Sequence, residues 1–231
     1  MTMNWTFQTA AADALMVQFD ARIDLQINAK VQQLARRLQT MQKEDTDWLR
    51  EVVPSYRSLL LYYNVLECSE AQVRRALKPV IDEVVSGADD TAIESQHHEI
   101  EVCYATELAA DLAAVAEHLQ DSVEAVAKLH SAPTYHVYTL GFAPGFAYMG
   151  DVDERLRMAR HATPRQKVPR GSVAIAEQQT AIYPRTSPGG WQVIGRAVQW
   201  PQLHPGDTVT FKAISREQYE QLCEAEGTQD V

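Results

Sequence analysis

The apolar positions of the first ninety residues recur with two different periods, and each change of period marks out an element. Ala14 to Phe19 is a short apolar run, which predicts a strand. In the next segment Ile27, Val31, Leu34, Leu38 and Met41 fall three and four apart, with Lys30, Arg36, Arg37 and Lys43 elsewhere on the wheel. That spacing predicts a core-facing amphipathic helix, with Asp24 placed to cap it. Trp48 to Val53 and Ser58 to Tyr63 read as two strands around a turn at Pro54 and Ser55. A second helix opens at Ser69 and Glu70, carries Val73, Leu77, Val80, Ile81 and Val84 on one face, and stops at Gly87, Asp89 and Asp90. Strand, helix, two strands and helix together predict a compact α+β domain over residues 1–92, joined by a polar linker from Asp89 to Gln96.

The remainder, residues 93–231, has a different texture. Glu99 to Tyr104 alternates as a strand does, and Leu108 to Leu119 has helical spacing. A further helix starts at Asp121, with Glu124 completing a capping-box-like opening, and ends near His130 and Pro133. After that the apolar runs shorten to Tyr135–Leu140, Val173–Ala176, Thr180–Tyr183, Trp191–Arg196 and Thr208–Ala213, before a terminal helix from Ser215 to Glu224. Nine of the ten glycines and eight of the ten prolines follow residue 132. Short strands separated by such turns predict a barrel or sandwich.

Charge changes the picture locally. The formal net charge is −10, which disfavours nucleic acid and anionic membrane as partners. Between Arg155 and Arg196, however, eight basic residues face the single acidic Glu177. Such a cationic stretch in an acidic chain fits a small anionic ligand; solvated surface arginines fit it equally. Cys68, Cys103 and Cys223 are odd in number and widely spaced, against both a disulfide framework and a thiolate metal site. His130 and His136 have no metal-ligand spacing and read as structural. No apolar run approaches the roughly 20 residues that span a bilayer, and no signal peptide is visible, so the expected location is the cytoplasm.

Candidate chemistry gathers on turns. In the stretch Leu140 to Asp151, Gly141, Pro144 and Gly145 should shape one unusual loop that carries Phe142, Phe146 and Tyr148, either as a pocket wall or as pins to the core. Prolines around Arg165, Ser172, Tyr183 and Trp191 preorganise neighbouring polar groups. Arg165 and Arg196 could fork onto a carboxylate or phosphate, and Ser172 and Gln179 could add neutral hydrogen bonds. Trp191 could floor a pocket or fill a barrel core, and Arg165 could instead make an internal salt bridge. The phosphate-loop, nucleophile-elbow and dinucleotide motifs are all missing, so no catalytic residue is assigned.

The ordered blocks Gly141-Phe142-x-Pro144-Gly145-Phe146-x-Tyr148-x-Gly150, Thr163-Pro164-Arg165, Val168-Pro169-x-Gly171-Ser172-Val173, Gln179-Thr180, Ile182-Tyr183-Pro184 and Ser187-Pro188-Gly189-Gly190-Trp191 closely resemble the B-type subunits of 5-oxoprolinase, a family that includes KipI-like proteins and the domain labelled allophanate hydrolase subunit 1. The resemblance implies an α+β N-terminal domain followed by a cyclophilin-like β-barrel. It also implies one component of a heteromeric enzyme, working with a C-type (KipA-like) partner and an A-type partner to hydrolyse 5-oxo-L-proline to L-glutamate using ATP, and inactive alone. Contact between this chain and ATP is not implied. Substrate-binding residues under this reading are Arg165, Ser172, Gln179, Tyr183, Trp191 and Arg196; an Arg165→Ala change would then remove activity and leave the melting temperature unchanged. Two alternatives share the motifs: a KipI-like inhibitor of a sensor histidine kinase, and the carboxyltransferase part of a urea carboxylase. The chain departs from the family where Ala176-Glu177-Gln178 and Ala181 replace glycine positions, which is expected to stiffen the turn and bring Glu177 near the site.

Overall fold

A computed structural model describes residues 3–45, 47–87 and 95–227. The chain divides into two compact units, 1–94 and 95–231. The stretch Asp89–Glu94, which holds most of the expected linker and the expected helix stop at Asp89 and Asp90, lies outside the described residues, as does the tail from Thr228. No helix among the described residues is long and apolar enough to cross a membrane.

The first unit is a four-stranded antiparallel sheet backed by two helices. Its elements are β1 (Trp5–Ala11), β2 (Ala14–Phe19), α1 (Leu25–Asp45), β3 (Leu49–Pro54), β4 (Ser58–Tyr63) and α2 (Glu70–Ser86), and the strand order is β1-β2-β4-β3. Residues two apart on the central strands, Leu15 and Val17 against Leu61 and Leu59, share one face and are fully buried. Against them pack Ile27, Val31, Leu34 and Leu38 of α1 and Val73, Leu77, Ile81 and Val84 of α2, all at most 1% exposed. Burying each such side chain is worth about 1.5–3 kcal/mol, which is why the two periods read so clearly in the sequence. The Asp24 carboxylate accepts from the backbone N–H groups of Gln26 and Ile27, so it caps α1 as expected. Strand β1 is not foreshadowed by the sequence pattern; it is an edge strand, mostly exposed, with Arg74 and Lys78 of α2 set over the rings of Phe7 and Trp5.

The second unit is built around a closed barrel. It contains β5 (His97–Cys103), α3 (Leu112–Leu119), α4 (Val123–Ser131), β6 (Thr134–Leu140), β7 (Ala147–Gly150), β8 (Arg165–Val168), β9 (Ser172–Ala176), β10 (Gln179–Ile182), β11 (Ser187–Gly189), β12 (Gln192–Ala197), β13 (Thr208–Ile214) and α5 (Arg216–Ala225). Seven strands close in the order β10-β7-β6-β13-β5-β12-β9, while β8 and β11 pair as a separate ribbon. Only β13 and β5 run parallel among the barrel pairs, in register from Thr208 opposite His97 to Ile214 opposite Cys103. Helix α3 begins at Leu112, later than the Leu108 that the spacing suggests. The reason is Asp111, whose backbone N–H donates to the Val193 carbonyl and whose carboxylate accepts from the Val193 N–H, so strand β12 claims it before the helix can. Helix α4 is capped by Ser122, which accepts from Ala125 N–H, rather than by Asp121, which accepts from Ser122 N–H.

Strands β9, β10 and β12 are buried on both faces. Val173, Ile175, Ile182 and Ile194 join the main core, while the alternate positions Ala174, Ala176, Ala181 and Val193 join a second cluster with Phe146, Val168, Tyr183 and Trp191. Small residues on that second face leave room for three large rings. Ala181, fully buried, is part of this packing.

Candidate functional site: an aromatic pocket beside the barrel

The loop between β6 and β7 turns sharply enough to need unusual backbone. Gly145 has φ +81°, which suits glycine, but Phe142 also sits at φ +64°, where a bulky residue is strained. Gly141 N–H donates to the Phe146 carbonyl and Phe146 N–H to the Ala143 carbonyl, so the loop is closed by its own backbone. The result is to bury Phe146 and to leave Phe142 62% exposed beside it.

Phe146 stands at the centre of an edge-to-face set. Its ring lies 5.6 Å from that of Trp191, 5.4 Å from Tyr183, 4.9 Å from Tyr148 and 5.2 Å from Phe142. Pinning and pocket-lining are therefore one arrangement: the same rings enclose a pocket of about 150 Å³, completed by Arg160, His161, Pro164, Gly189 and Gly190. The ribbon β8–β11 brings Gly189 against the Tyr183 ring. A Cβ at Gly189 would overlap the Tyr183 hydroxyl and lie 2.7–2.8 Å from its ring carbons. Gly189→Ala is therefore expected to destabilise the unit by about 1–3 kcal/mol in denaturant melts, as overpacking does. Adding Tyr183→Phe should restore only part of this, because the ring carbons still clash.

Two of the groups at the pocket rim are cationic or titratable. The Arg160 guanidinium carbon lies 5.6 Å from the centre of the Trp191 ring. His161 is held by its backbone N–H, which donates to the Gly190 carbonyl at 2.7 Å. Behind them, Arg165 grips Asp111 with both terminal nitrogens, Nη1 to Oδ2 at 2.8 Å and Nη2 to Oδ1 at 2.5 Å. His161 Nε2 lies 2.8 Å from Arg165 Nη1 and 3.1 Å from Asp111 Oδ1. One nitrogen cannot accept from the arginine and donate to the carboxylate at once; the shorter contact, with an obligate donor, makes Nε2 the acceptor and places the proton on Nδ1. Burial raises the Tyr148 phenol, partly offset by the Arg160 charge. Burial also raises that of Tyr183, offset by a backbone hydrogen bond from Trp191 and then by Arg160.

The residues expected from the sequence divide into two groups. Tyr183 and Trp191 line the pocket with Phe142, Phe146 and Tyr148. Arg165 stands behind it with its charge taken by Asp111, the internal salt bridge that the sequence leaves open. Ser172 is fully buried and its hydroxyl has no hydrogen-bond partner among the described residues; its carbonyl accepts from Tyr183 N–H. Gln179 opens β10, paired with Gly150 and Ala176, and does not line the pocket. Arg196 lies towards the far end of β12, with Nη1 3.4 Å from the Arg170 carbonyl and Nη2 3.5 Å from that of Leu108. Gly141 and Pro144 shape the loop but do not line the pocket, and neither does Glu177, which turns β9 into β10 at φ +52°. Arg160, His161 and Asp111 are not singled out by the sequence; the only signal for the first two is their place in the cationic stretch. Among the described residues no group of three or more histidine, cysteine, aspartate or glutamate side chains is placed to hold a metal ion.

Comparison with known proteins agrees with this architecture. The family model described as carboxyltransferase domain, subdomain C and D, matches residues 5–202. The chain is 33% identical to the B-type subunit of 5-oxoprolinase from Bacillus subtilis, over 95% of this chain and 97% of that protein. It superposes on the crystal structure of TTHA0988 with a TM-score of 0.72 at 33% identity, over 87% of this chain and 39% of that longer one. The Kluyveromyces lactis urea carboxylase gives a TM-score of 0.75 over 97% of this chain and 23% of that one, and at 19% identity speaks for the fold alone. The closed barrel is thus cyclophilin-like, and the chain belongs to the family of 5-oxoprolinase B-type subunits.

Proposed function

We propose that this chain is the B component of an ATP-dependent 5-oxoprolinase, working with the C-type and A-type components to hydrolyse 5-oxo-L-proline to L-glutamate. The observation that carries the reading is the match to the Bacillus subtilis protein along nearly the full length of both chains. The pocket supports it from the other side, since it offers aromatic walls and a guanidinium to something small. Opening the lactam breaks one amide C–N bond and consumes a water, and ATP hydrolysis supplies the driving force. No residue of this chain is assigned to the nucleotide or to the bond-breaking step, in keeping with a cytoplasmic component that is inactive by itself. The test is glutamate release from 5-oxoproline and ATP by the purified chain mixed with the C-type and A-type components. Glutamate is expected from the three together; its absence from a correctly assembled mixture would defeat the reading. Co-purification with a sensor histidine kinase in place of the C-type component would favour the inhibitor reading instead.

A further inference from the structure

We propose that Arg160 selects the pocket's ligand, and that the ligand is a single flat ring bearing a carboxylate. Three observations carry this. First, the cations near the pocket are not equivalent. Arg165 is bound bidentately to Asp111 and His161 accepts from it, so neither offers a free positive charge. Arg160 has no carboxylate within ion-pairing distance among the described residues. It stands over the Trp191 face, which orients the guanidinium and leaves its N–H edges for a planar anion.

Second, the walls are rings. Phe142, Phe146, Tyr148, Tyr183 and Trp191 provide apolar faces that suit a flat guest and give nothing to a solvated chain. Third, the volume decides between the small molecules at issue. A cavity of about 150 Å³ holds one benzene-sized molecule, and pockets for larger ligands run to about 300–1,000 Å³. A nucleotide would extend well beyond it, whereas a five-membered lactam with one carboxylate is of a size to sit within it. Arg160 is on this view a specificity-determining residue. The use of L-5-oxoproline as the first probe rests on the proposed function; the ring-and-carboxylate assignment does not.

The experiment titrates the purified full chain by NMR, following the Trp191 indole N–H signal assigned with Trp191→Phe. Three probes are used: L-5-oxoproline, pyrrole-2-carboxylate, and 2-pyrrolidinone, which has the lactam ring without the carboxylate. The variant Arg160→Met keeps the stem and removes the charge; being at an exposed position it should melt within roughly 1–2 °C of the parent. Both carboxylates are expected to shift the Trp191 signal and to bind at least tenfold more weakly to Arg160→Met, while 2-pyrrolidinone binds weakly and equally to both. In the reconstituted enzyme the same variant should raise KM for 5-oxoproline about tenfold with kcat little changed. Carboxylate affinity within twofold of the parent in Arg160→Met, or no perturbation of Trp191, would overturn the proposal. The two readings fail separately. Arg160-dependent binding of pyrrole-2-carboxylate with no glutamate formed supports the pocket and sinks the oxoprolinase reading; glutamate formed by Arg160→Met with unchanged KM does the reverse.

Discussion

Arg165→Ala is expected to cost about 2–3 kcal/mol of folding stability, which for a unit of this size lowers the melting temperature by roughly 10 °C. The sequence suggests a ligand-binding arginine whose loss would leave melting unchanged; the ion pair with Asp111 reverses that expectation. The Asp111 side chain is only 5% exposed, and that of Arg165 33%. Removing the arginine leaves a buried carboxylate with the Val193 N–H at 2.7 Å as its remaining side-chain-independent donor. Breaking a buried pair from one side typically costs about 3–5 kcal/mol, and the one-third exposure of Arg165 puts this case just below that range. Asp111→Asn in the same background should recover part of the loss, because its amide oxygen still accepts from Val193 and no charge is stranded. A melting temperature within a degree of the parent for Arg165→Ala would show that the pair contributes nothing.

Acid should destabilise the barrel unit through His130. That side chain is fully buried, and burial alone drops its imidazole to about 3 from the usual 6.5. Its hydrogen bonds define the neutral form. Thr180 donates its hydroxyl to the Ala174 carbonyl, so it accepts from His130 Nε2 at 2.8 Å, while Nδ1 accepts from the Tyr104 hydroxyl at 2.7 Å. The ring stacks 4.7 Å from Phe211. Between pH 6.5 and about 3 the unfolded chain binds a proton that the folded chain refuses, so stability falls as pH falls through that window. By pH 5 the loss from this group is about 2 kcal/mol, and His136, also lowered by burial, adds in the same direction. Denaturant midpoints for the parent and His130→Gln, measured from pH 7 to pH 5, check this. The parent should lose the greater share, the variant starting lower at pH 7 but with a flatter profile; equal slopes would show that His130 titrates normally.

What could be read from the sequence, and what could not, follows from the range of the interactions. The α1 stripe of Val31, Leu34 and Leu38 and the β4 alternation of Leu59 and Leu61 are local patterns whose buried faces repeat, and both elements form where the spacing places them. The Pro/Gly turns around Tyr183 and Trp191 are legible for the same reason, and these two residues do meet in one pocket. Asp111 is hidden because its partner on β12 is 82 residues away, so a helical spacing conceals a strand contact. Eight basic residues in the cationic stretch look alike in sequence. Only three-dimensional pairing shows that Arg165 is neutralised and Arg160 is not. Strand β1 escapes notice because an edge strand buries too little to enforce a pattern.

The most direct test of the chain's identity is an omission experiment with purified components. Glutamate formed from 5-oxoproline and ATP is measured with the C-type and A-type components alone, and then with this chain restored. The expected result is no glutamate above background in its absence and stoichiometric recovery as it is added. Full activity without it, or none with it in an assembled complex, would contradict its assignment as the B component.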